Sequence, residues 1–386
     1  MTGAQTRVPR IHLSVPHMGG LEIDFVRQAF ESNWLSTVGP NVEAFEQEVV
    51  GSLGGGVHAV AVSSGTAALH LVLRAVGVRP GDQVAVSTLT FAGSVFPILY
   101  LGAEPVFIDS ERLSWNLDPN LVEDLFRTAS ASGRLPKVLV AVHLYGQHAD
   151  LDPLVELCRR FGVTLVEDAA ESLGATYKQR PTATTADYSI LSFNGNKMIT
   201  TTGGGMVISR RPSAAGQMRK WANQSREAAV EYVHSELGYN YRLSNVLAGI
   251  GRGQLHVLRQ RVAQRRAVAE RYRQALAAIE GMELQPEAAW GSHSRWLSVF
   301  TLPERATPND VIHTLDRQGI EARPVWRPMH TQPLFRDAQS IGGRVAESLF
   351  ASGICLPSSS SLSEFDQSRV SSAVIAAVDA ALPVPA

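Results

Sequence analysis

The chain reads as an α/β protein, with a large domain on a mainly parallel sheet followed by a smaller α+β domain. Three observations predict this. Between residues 57 and 209, short apolar runs of β-forming residues alternate with amphipathic helical segments, the rhythm of strand–helix–strand units. The strand candidates are almost continuously apolar, as strands covered by helices on both faces must be. Past residue 243 the pattern changes to one long arginine-rich helix, then to a mixture of short strands and helices.

The elements follow in order. A strand over 57–62 is followed by a helix from Thr66, a strand over 83–87 by a helix from Phe91, and a strand over 105–108 by a helix from Pro119. A strand over 138–142 precedes a helix from Leu151, and strands over 164–166, 188–193 and 206–209 complete the sheet. The helical pattern over 243–279 carries Arg252, Arg259, Arg261, Arg265, Arg266, Arg271 and Arg273. Glutamine and alanine interleave with them rather than aromatics, so a solvated face on a connecting helix is expected in place of a nucleic-acid surface. Strands over 296–301 and 321–325, a helix over 308–318 and terminal helices form the smaller domain. The expected division is 1–245 for the large domain with its N-terminal segment, and 246–386 for the connecting helix and small domain.

Composition narrows the function classes. The 386 residues are 45% hydrophobic with a net charge of −1, so no global field draws the chain to nucleic acid or a membrane surface, and a charged ligand must be held locally. Cys158 and Cys355 are too few for a disulfide framework, which fits a reducing cytoplasm. Residues 1–10 are polar, and no apolar run approaches the roughly 20 residues of a membrane span. Cytoplasmic residence is therefore expected.

The most informative residue is a lysine. Arginine supplies all but four of the 35 basic side chains, and the lysines are Lys137, Lys178, Lys197 and Lys220. Three have plain surroundings: Lys137 precedes a strand, Lys178 sits in a turn and Lys220 lies on a surface helix. Lys197 stands in Ser192-Phe193-Asn194-Gly195-Asn196-Lys197-Met198, ahead of Gly203-Gly204-Gly205. An amine kept in a glycine-rich, otherwise uncharged stretch suits chemistry that arginine cannot do, because only lysine can lose its proton and condense with an aldehyde.

Three further features join it at strand ends. Ser63-Ser64-Gly65-Thr66-Ala67 follows one strand and opens a helix, where free N–H groups and the helix dipole make an anion cradle, or simply an N-cap. Asp168 ends the strand carrying Leu165-Val166-Glu167, where a buried carboxylate wants a cationic partner, unless it caps the next helix. Phe91 could lay its ring on a planar ligand or pack in the core. Ligands of parallel sheets bind at the carboxyl ends of the strands. An anion cradle, an aromatic plate, a buried acid and a special lysine along that edge are the parts needed to hold pyridoxal 5'-phosphate.

The motifs Ser-Gly-Thr-Ala-Ala-Leu, Glu-Asp-Ala-Ala-Glu, Ser-Phe-Asn-Gly-Asn-Lys and Asn240-Tyr241-Arg242-Leu243-Ser244-Asn245 resemble those of the DegT-type nucleotide-sugar aminotransferases. These have the aspartate aminotransferase-like fold (fold type I) of pyridoxal phosphate enzymes. The resemblance runs from Pro16 to Pro357. It implies that Lys197 bonds the cofactor, Asp168 binds the pyridine nitrogen and Phe91 stacks on the ring. It implies also that Thr66, Ala67 and Ser192 hold the phosphate, and that Asn245 reaches the phosphate of a neighbouring subunit in a homodimer with shared active sites. Glu171 stands near the cofactor's phenolic oxygen where many members carry Gln, which resembles the subset that aminates C4 of 4-keto-6-deoxy sugars.

Within the family, His143-Leu144-Tyr145-Gly146, Tyr239 to Arg242, and Arg323-Pro324-Val325-Trp326 with Met329-His330-Thr331-Gln332 are similar to the enzymes of bacillosamine synthesis. This implies glutamate as amino donor and a UDP-linked 4-keto-6-deoxy-N-acetylhexosamine as acceptor, with GDP-perosamine-type or TDP sugars as the alternative. Arg226, Arg242, Arg323 and His330 are candidates for the nucleotide diphosphate and the donor carboxylate, or for structural ion pairs. A cysteine desulfurase would need a reactive thiol, and Cys355 sits in an apolar run. A cofactor-sensing regulator would need a DNA-binding module, for which the resemblance leaves no residues. The related sugar dehydratases carry His where Lys197 stands. No metal site is expected.

Overall fold

The computed structural model describes residues 9–381. Residues 1–8, where most of the polar N-terminal reading falls, and 382–386, at the end of the expected second domain, lie outside the described residues. Two helices, α1 (Glu22–Glu31) and α2 (Pro40–Ser52), precede the sheet. Then come β1 (His58–Val62), α3 (Gly65–Ala75), β2 (Gln83–Ser87), α4 (Phe96–Tyr100), β3 (Glu104–Ile108), α5 (Pro119–Ser132), β4 (Val138–Val142), α6 (Leu151–Phe161) and β5 (Thr164–Asp168). The short strands β6 (Thr176–Tyr177) and β7 (Arg180–Pro181) lead to β8 (Tyr188–Ser192), β9 (Gly205–Ser209) and α7 (Pro212–Ala222).

The central sheet has eight strands in the order β1-β9-β8-β5-β4-β2-β3, closed at the far edge by a short β14 (Ser340–Ile341). Six of them, β8 to β14 in that order, run parallel, and β9 alone runs against its neighbours β8 and β1. Alternate residues of one strand enter different cores. Val84, Val86, Val138 and Val140 pack with α3, α4 and α7, whereas Ala85, Leu139 and Ala141 pack with α5 and α6. Burial on both faces is why these strands carry no polar alternation. Parallel direction places Ser87, Val142, Asp168 and Ser192 at one edge of the sheet, next to Gly205 at the start of β9.

Beyond the sheet run α8 (Asn245–His256) and α9 (Leu258–Ala275), then β10 (Glu283–Leu284), β11 (Gly291–Ser292), β12 (Ser298–Thr301), α10 (Pro308–Arg317), β13 (Arg323–Pro324), α11 (Arg344–Ser352), β15 (Gly353–Leu356) and α12 (Glu364–Asp379). β10, β12, β15 and β13 form an antiparallel sheet that shares a core with α9, α10 and α12. No helix among the described residues is long and apolar enough to cross a membrane.

Several expectations need correction. The helix expected from Phe91 is a 3-10 turn, Ala92–Ser94, followed by the short α4. The strand expected over 321–325 shrinks to two residues, since Pro324 has no N–H to give a ladder. The single helix over 243–279 breaks at Val257. α8 packs on α1 and α2 through bare glycine faces: a Cβ on Gly251 would meet Phe45 Cζ at 2.7 Å, and one on Gly253 would meet Glu22 N at 2.7 Å. Residues 245–256 therefore pack on α1 and α2, and Leu258 and Val262 at the start of α9 join the same core. The face expected to be solvated is not uniformly so, because Arg261 and Arg265 are buried.

Candidate active site

The strand ends enclose a cavity of about 320 Å³. Ser63, Ser64, Gly65 and Thr66 from the β1–α3 turn form one wall, and Thr90, Phe91, Gly93 and Ser94 from the turn after β2 form another. Asp168 at the end of β5 with Glu171 beyond it, Ser192 at the end of β8 with Asn194, Asn196 and Lys197 beyond it, and Gly203 and Gly204 before β9 complete the floor, with Trp296 and Trp326 from the C-terminal part. Of the residues expected to hold a cofactor, Thr66, Phe91, Asp168, Glu171, Ser192 and Lys197 converge here; Ala67 and Asn245 do not.

The β1–α3 turn is built for close approach. Ser64 caps α3, its Oγ accepting from Ala67 N at 3.0 Å. That bond uses the Ala67 N–H, and leaves the N–H groups of Gly65 and Thr66, which the first helical turn cannot satisfy, beside the cavity. The strand behind must lack a side chain, since a Cβ on Gly205 would come within 2.4 Å of Gly65 N. Ser192 faces the same turn, with its Cβ 3.2 Å from where a Gly65 side chain would begin. An anion fits this cradle.

Asp168 is buried, with Oδ2 accepting from Ser94 Oγ at 2.7 Å and Oδ1 from Ala170 N at 3.1 Å. Ser94 in turn shares a 2.7 Å bond with Thr90 Oγ1. No described cation pairs with this carboxylate within ion-pair distance, which is the situation a protonated ring nitrogen would relieve. Phe91 is exposed on the cavity rim, 5.4 Å from Trp326 between ring centroids.

Lys197 Nζ lies 3.4 Å from Glu171 Oε1, and Glu171 Oε2 accepts from Tyr145 N at 2.7 Å. Burial pushes the Glu171 carboxyl above its ordinary range, against the opposing pull of Lys197 and the Tyr145 N–H. Lys197 and the acid expected near the phenolic oxygen are thus neighbours.

The substrate candidates lie elsewhere in the chain. Arg226 is exposed and rests over the Tyr232 ring at 4.2 Å. Arg242 lines a separate cavity with Glu43, Glu46 and Arg219. Arg323 pairs with Glu321 at 2.9 Å on the surface. His330 has both ring nitrogens engaged, by Thr88 Oγ1 at 2.6 Å and Glu347 Oε1 at 2.9 Å. Asn245 lies outside the cavity, its buried amide accepting from Asn41 N at 2.8 Å and donating one N–H to Trp34 O at 2.8 Å.

Behind the floor, His143, His148 and Glu167 bring potential ligand atoms within 4.8 Å of one another, but two of the three are saturated from within. Glu167 Oε1 accepts from Thr185 N at 2.8 Å and Ala186 N at 2.7 Å, and Oε2 meets His143 Nε2 at 3.0 Å. His143 Nδ1 accepts from Ala149 N at 3.3 Å. Burial opposes the Glu167 charge, yet His143 and these N–H groups hold its carboxyl below the ordinary range. The arrangement braces the strand end next to Asp168. The Cys355 thiol is buried and pushed up to about 12 by desolvation, which suits packing and not sulfur transfer.

Sequence reasoning missed Ser94, Trp296, Trp326 and Arg265. Arg265 is fully buried, donating to Ser14 Oγ at 3.0 Å and to the carbonyls of Trp296 and Lys197. Trp326 closes the Arg323-to-Trp326 motif without a site role read for it, the other three stand in no motif, and all four reach the site from segments far from Lys197 in the chain.

Residues 16–375 match the DegT/DnrJ/EryC1/StrS aminotransferase family. The chain is 48% identical over 365 residues to a putative pyridoxal phosphate-dependent aminotransferase, EpsN, of Bacillus subtilis, covering 94% of each chain. It is 37% identical over 378 residues to a GDP-perosamine synthase of Caulobacter vibrioides, covering 97% of this chain and 99% of the other. The crystal structure of the aminotransferase TlmJ from Streptoalloteichus hindustanus superposes with a TM-score of 0.87 at 30% identity, over 96% of this chain and 99% of that one. With its cradle, buried acid and lysine at the strand ends of a fold type I architecture, the chain belongs to the DegT/DnrJ/EryC1/StrS family and is a pyridoxal phosphate-dependent sugar aminotransferase.

Proposed function

We propose that the chain transfers the amino group of glutamate to C4 of a UDP-linked 4-keto-6-deoxy-N-acetylhexosamine. The observation that carries this reading is Glu171 set 3.4 Å from Lys197 in the cavity, the Glu variant that resembles the C4-aminating subset. Bound pyridoxal phosphate supplies the electron sink for ionising the donor's α-carbon. Lys197 bonds the cofactor and, once displaced, moves the proton at its Nζ. Asp168 keeps the ring nitrogen protonated, Phe91 covers one ring face, and Gly65, Thr66 and Ser192 receive the phosphate.

A homodimer completes the site in this reading. Lys197 is the only cationic residue lining the cavity among the described residues, yet a cofactor phosphate, a diphosphate and a donor carboxylate all need positive partners. Arg226 lies on an exposed segment with Tyr232 and Leu237, and Phe30, Trp34, Leu35 and Val38 expose further apolar surface. In this reading a second copy covers these surfaces and Arg226 serves its neighbour's cavity.

The second reading, a GDP-perosamine-type acceptor, is favoured by relatives named GDP-perosamine synthase at 37% and 34% identity. Measured kcat/KM for matched UDP, GDP and TDP 4-keto sugars, with glutamate as donor, decides between them. The UDP N-acetyl sugar is expected to lead by at least about tenfold, a difference of about 1.4 kcal/mol in transition-state binding. A GDP sugar without the acetamido group leading by that margin would establish the second reading.

A further inference from the structure

Trp296 precedes β12 in the C-terminal part of the chain, yet its indole forms the cavity wall beside Lys197. Lys197 Nζ stands 3.9 Å from the indole centroid, with Glu171 Oε1 3.4 Å away. The ring is 1% exposed and held from several sides. Its Nε1 donates to Asn196 O at 2.7 Å, and the same carbonyl accepts from Ser14 Oγ at 2.8 Å. Arg265 donates to the carbonyls of both Trp296 and Lys197. Tyr145 stacks 6.2 Å away at an interplanar angle of 22°. The lysine and the indole are therefore tied into one rigid unit through the backbone of residues 196 and 197.

We propose that Trp296 is a positioning residue for the released amine of Lys197: its face, with Glu171, holds the ammonium that forms when Lys197 accepts a proton during turnover. This rests on the reading that Lys197 bonds the cofactor and shuttles the proton. An ammonium over an indole is stabilised by the ring quadrupole, more strongly where water is excluded, and a neutral amine gains almost nothing from it. The Lys197 side chain is 13% exposed. In the step concerned, the proton leaves the α-carbon of the bound donor, the bonding pair stays with the donor–cofactor conjugate, and the proton goes to Nζ; its later return to the conjugate balances the transfer. An indole face under Nζ makes the amine a better acceptor for that proton. It also keeps the displaced side chain beside the reacting carbons instead of letting it swing away.

The test uses Trp296→Leu, which removes the face, and Trp296→Phe, which keeps a weaker one. In cofactor-free protein at neutral pH, the rate of absorbance change on adding pyridoxal phosphate reports capture by the unprotonated amine. Losing the face removes the cation–π stabilisation of the ammonium, so Trp296→Leu is expected to capture cofactor roughly two- to thirtyfold faster, with Trp296→Phe between it and the wild type. In cofactor-loaded protein under single turnover, Trp296→Leu is expected to slow proton removal from L-glutamate by a comparable factor. The primary isotope effect with α-deuterated glutamate should rise at the same time. General damage to the site would slow both reactions, so the opposite signs are the signature of the proposal. Capture no faster than wild type in either variant, or an unchanged isotope effect, would overturn it. Borohydride trapping on the wild type separates the two layers of argument. An adduct on Lys197 with unresponsive variants sinks the role of Trp296 alone, and no adduct there sinks the reading beneath it as well.

Discussion

Asp168 carries its functional meaning in an imbalance. A buried carboxylate held only by Ser94 and a backbone N–H is poorly compensated until a cation arrives, so the residue proposed to secure the cofactor also strains the empty protein. Asp168→Asn is therefore expected to act in opposite directions. It should raise the thermal midpoint of cofactor-free protein while weakening cofactor binding by about 3–5 kcal/mol, a hundredfold or more, because a buried cation loses its partner. Calorimetry of the empty protein and an absorbance titration with cofactor read the two effects. A lower midpoint together with unchanged affinity would mean that Asp168 only caps the next segment. At this scale the sequence was informative wherever a residue was rare or stood in a motif. Lys197 was visible through the scarcity of lysine, and Asp168 through its place at a strand end. Trp296, Ser94 and Arg265 were not visible, because proximity created by folding leaves no local pattern.

Asn245 ties two elements of its own chain together. α2 begins after Gly39, which offers no side-chain cap, and the Asn245 amide from the start of α8 accepts the Asn41 N–H in its place. A Cβ on Gly39 would fall 2.5 Å from that amide, which is why glycine, at φ 152°, precedes the helix. Asn245→Ala leaves the Asn41 N–H and the Trp34 carbonyl unpaired, and is expected to cost about 1–3 kcal/mol of stability in a denaturant titration. In a mixture with Lys197→Ala chains it should restore no more activity than its own residual level, because the amide serves its own chain. Restoration toward half of the wild-type activity would instead place Asn245 in a neighbour's site. The helix break at Val257 was similarly hidden, since apolar spacing continues across it. The strands were clear in sequence because both faces of each are buried, whereas Pro324 shortened its strand by a missing donor that periodicity does not register.

Across the whole molecule, the sheet edge gathers the candidate site and buried histidines make stability depend on pH. His70, His148 and His293 are buried, and desolvation holds each below the usual imidazole value, His70 at about 4 and the other two well below their ordinary range. The folded chain thus excludes protons that the unfolded chain binds near pH 6.5. Stability is full above that value and falls as pH drops through it, until the folded-state values are passed, with each histidine contributing up to about 1.4 kcal/mol per pH unit. Neither ring nitrogen of His148 has a hydrogen-bond partner, so His148→Leu is expected to change stability little at pH 7.5. It should make the loss between pH 6.5 and 5 shallower, measured by urea unfolding at each pH; an unchanged slope would remove His148 from the account. The mainly parallel architecture and the strand-end location of the site were legible from the alternation of elements alone. The aromatic wall from the C-terminal part was not, because nothing in the sequence says which distant segment folds back over the edge.

The account as a whole stands on Lys197 being the amine that bonds the cofactor. Borohydride reduction of cofactor-loaded protein, followed by digestion and mass mapping, reads this directly. A single pyridoxyl adduct on the peptide containing Asn194 to Met198, absent from Lys197→Ala, is the predicted result. An adduct on Lys137, Lys178 or Lys220, or full turnover by Lys197→Ala, would contradict it.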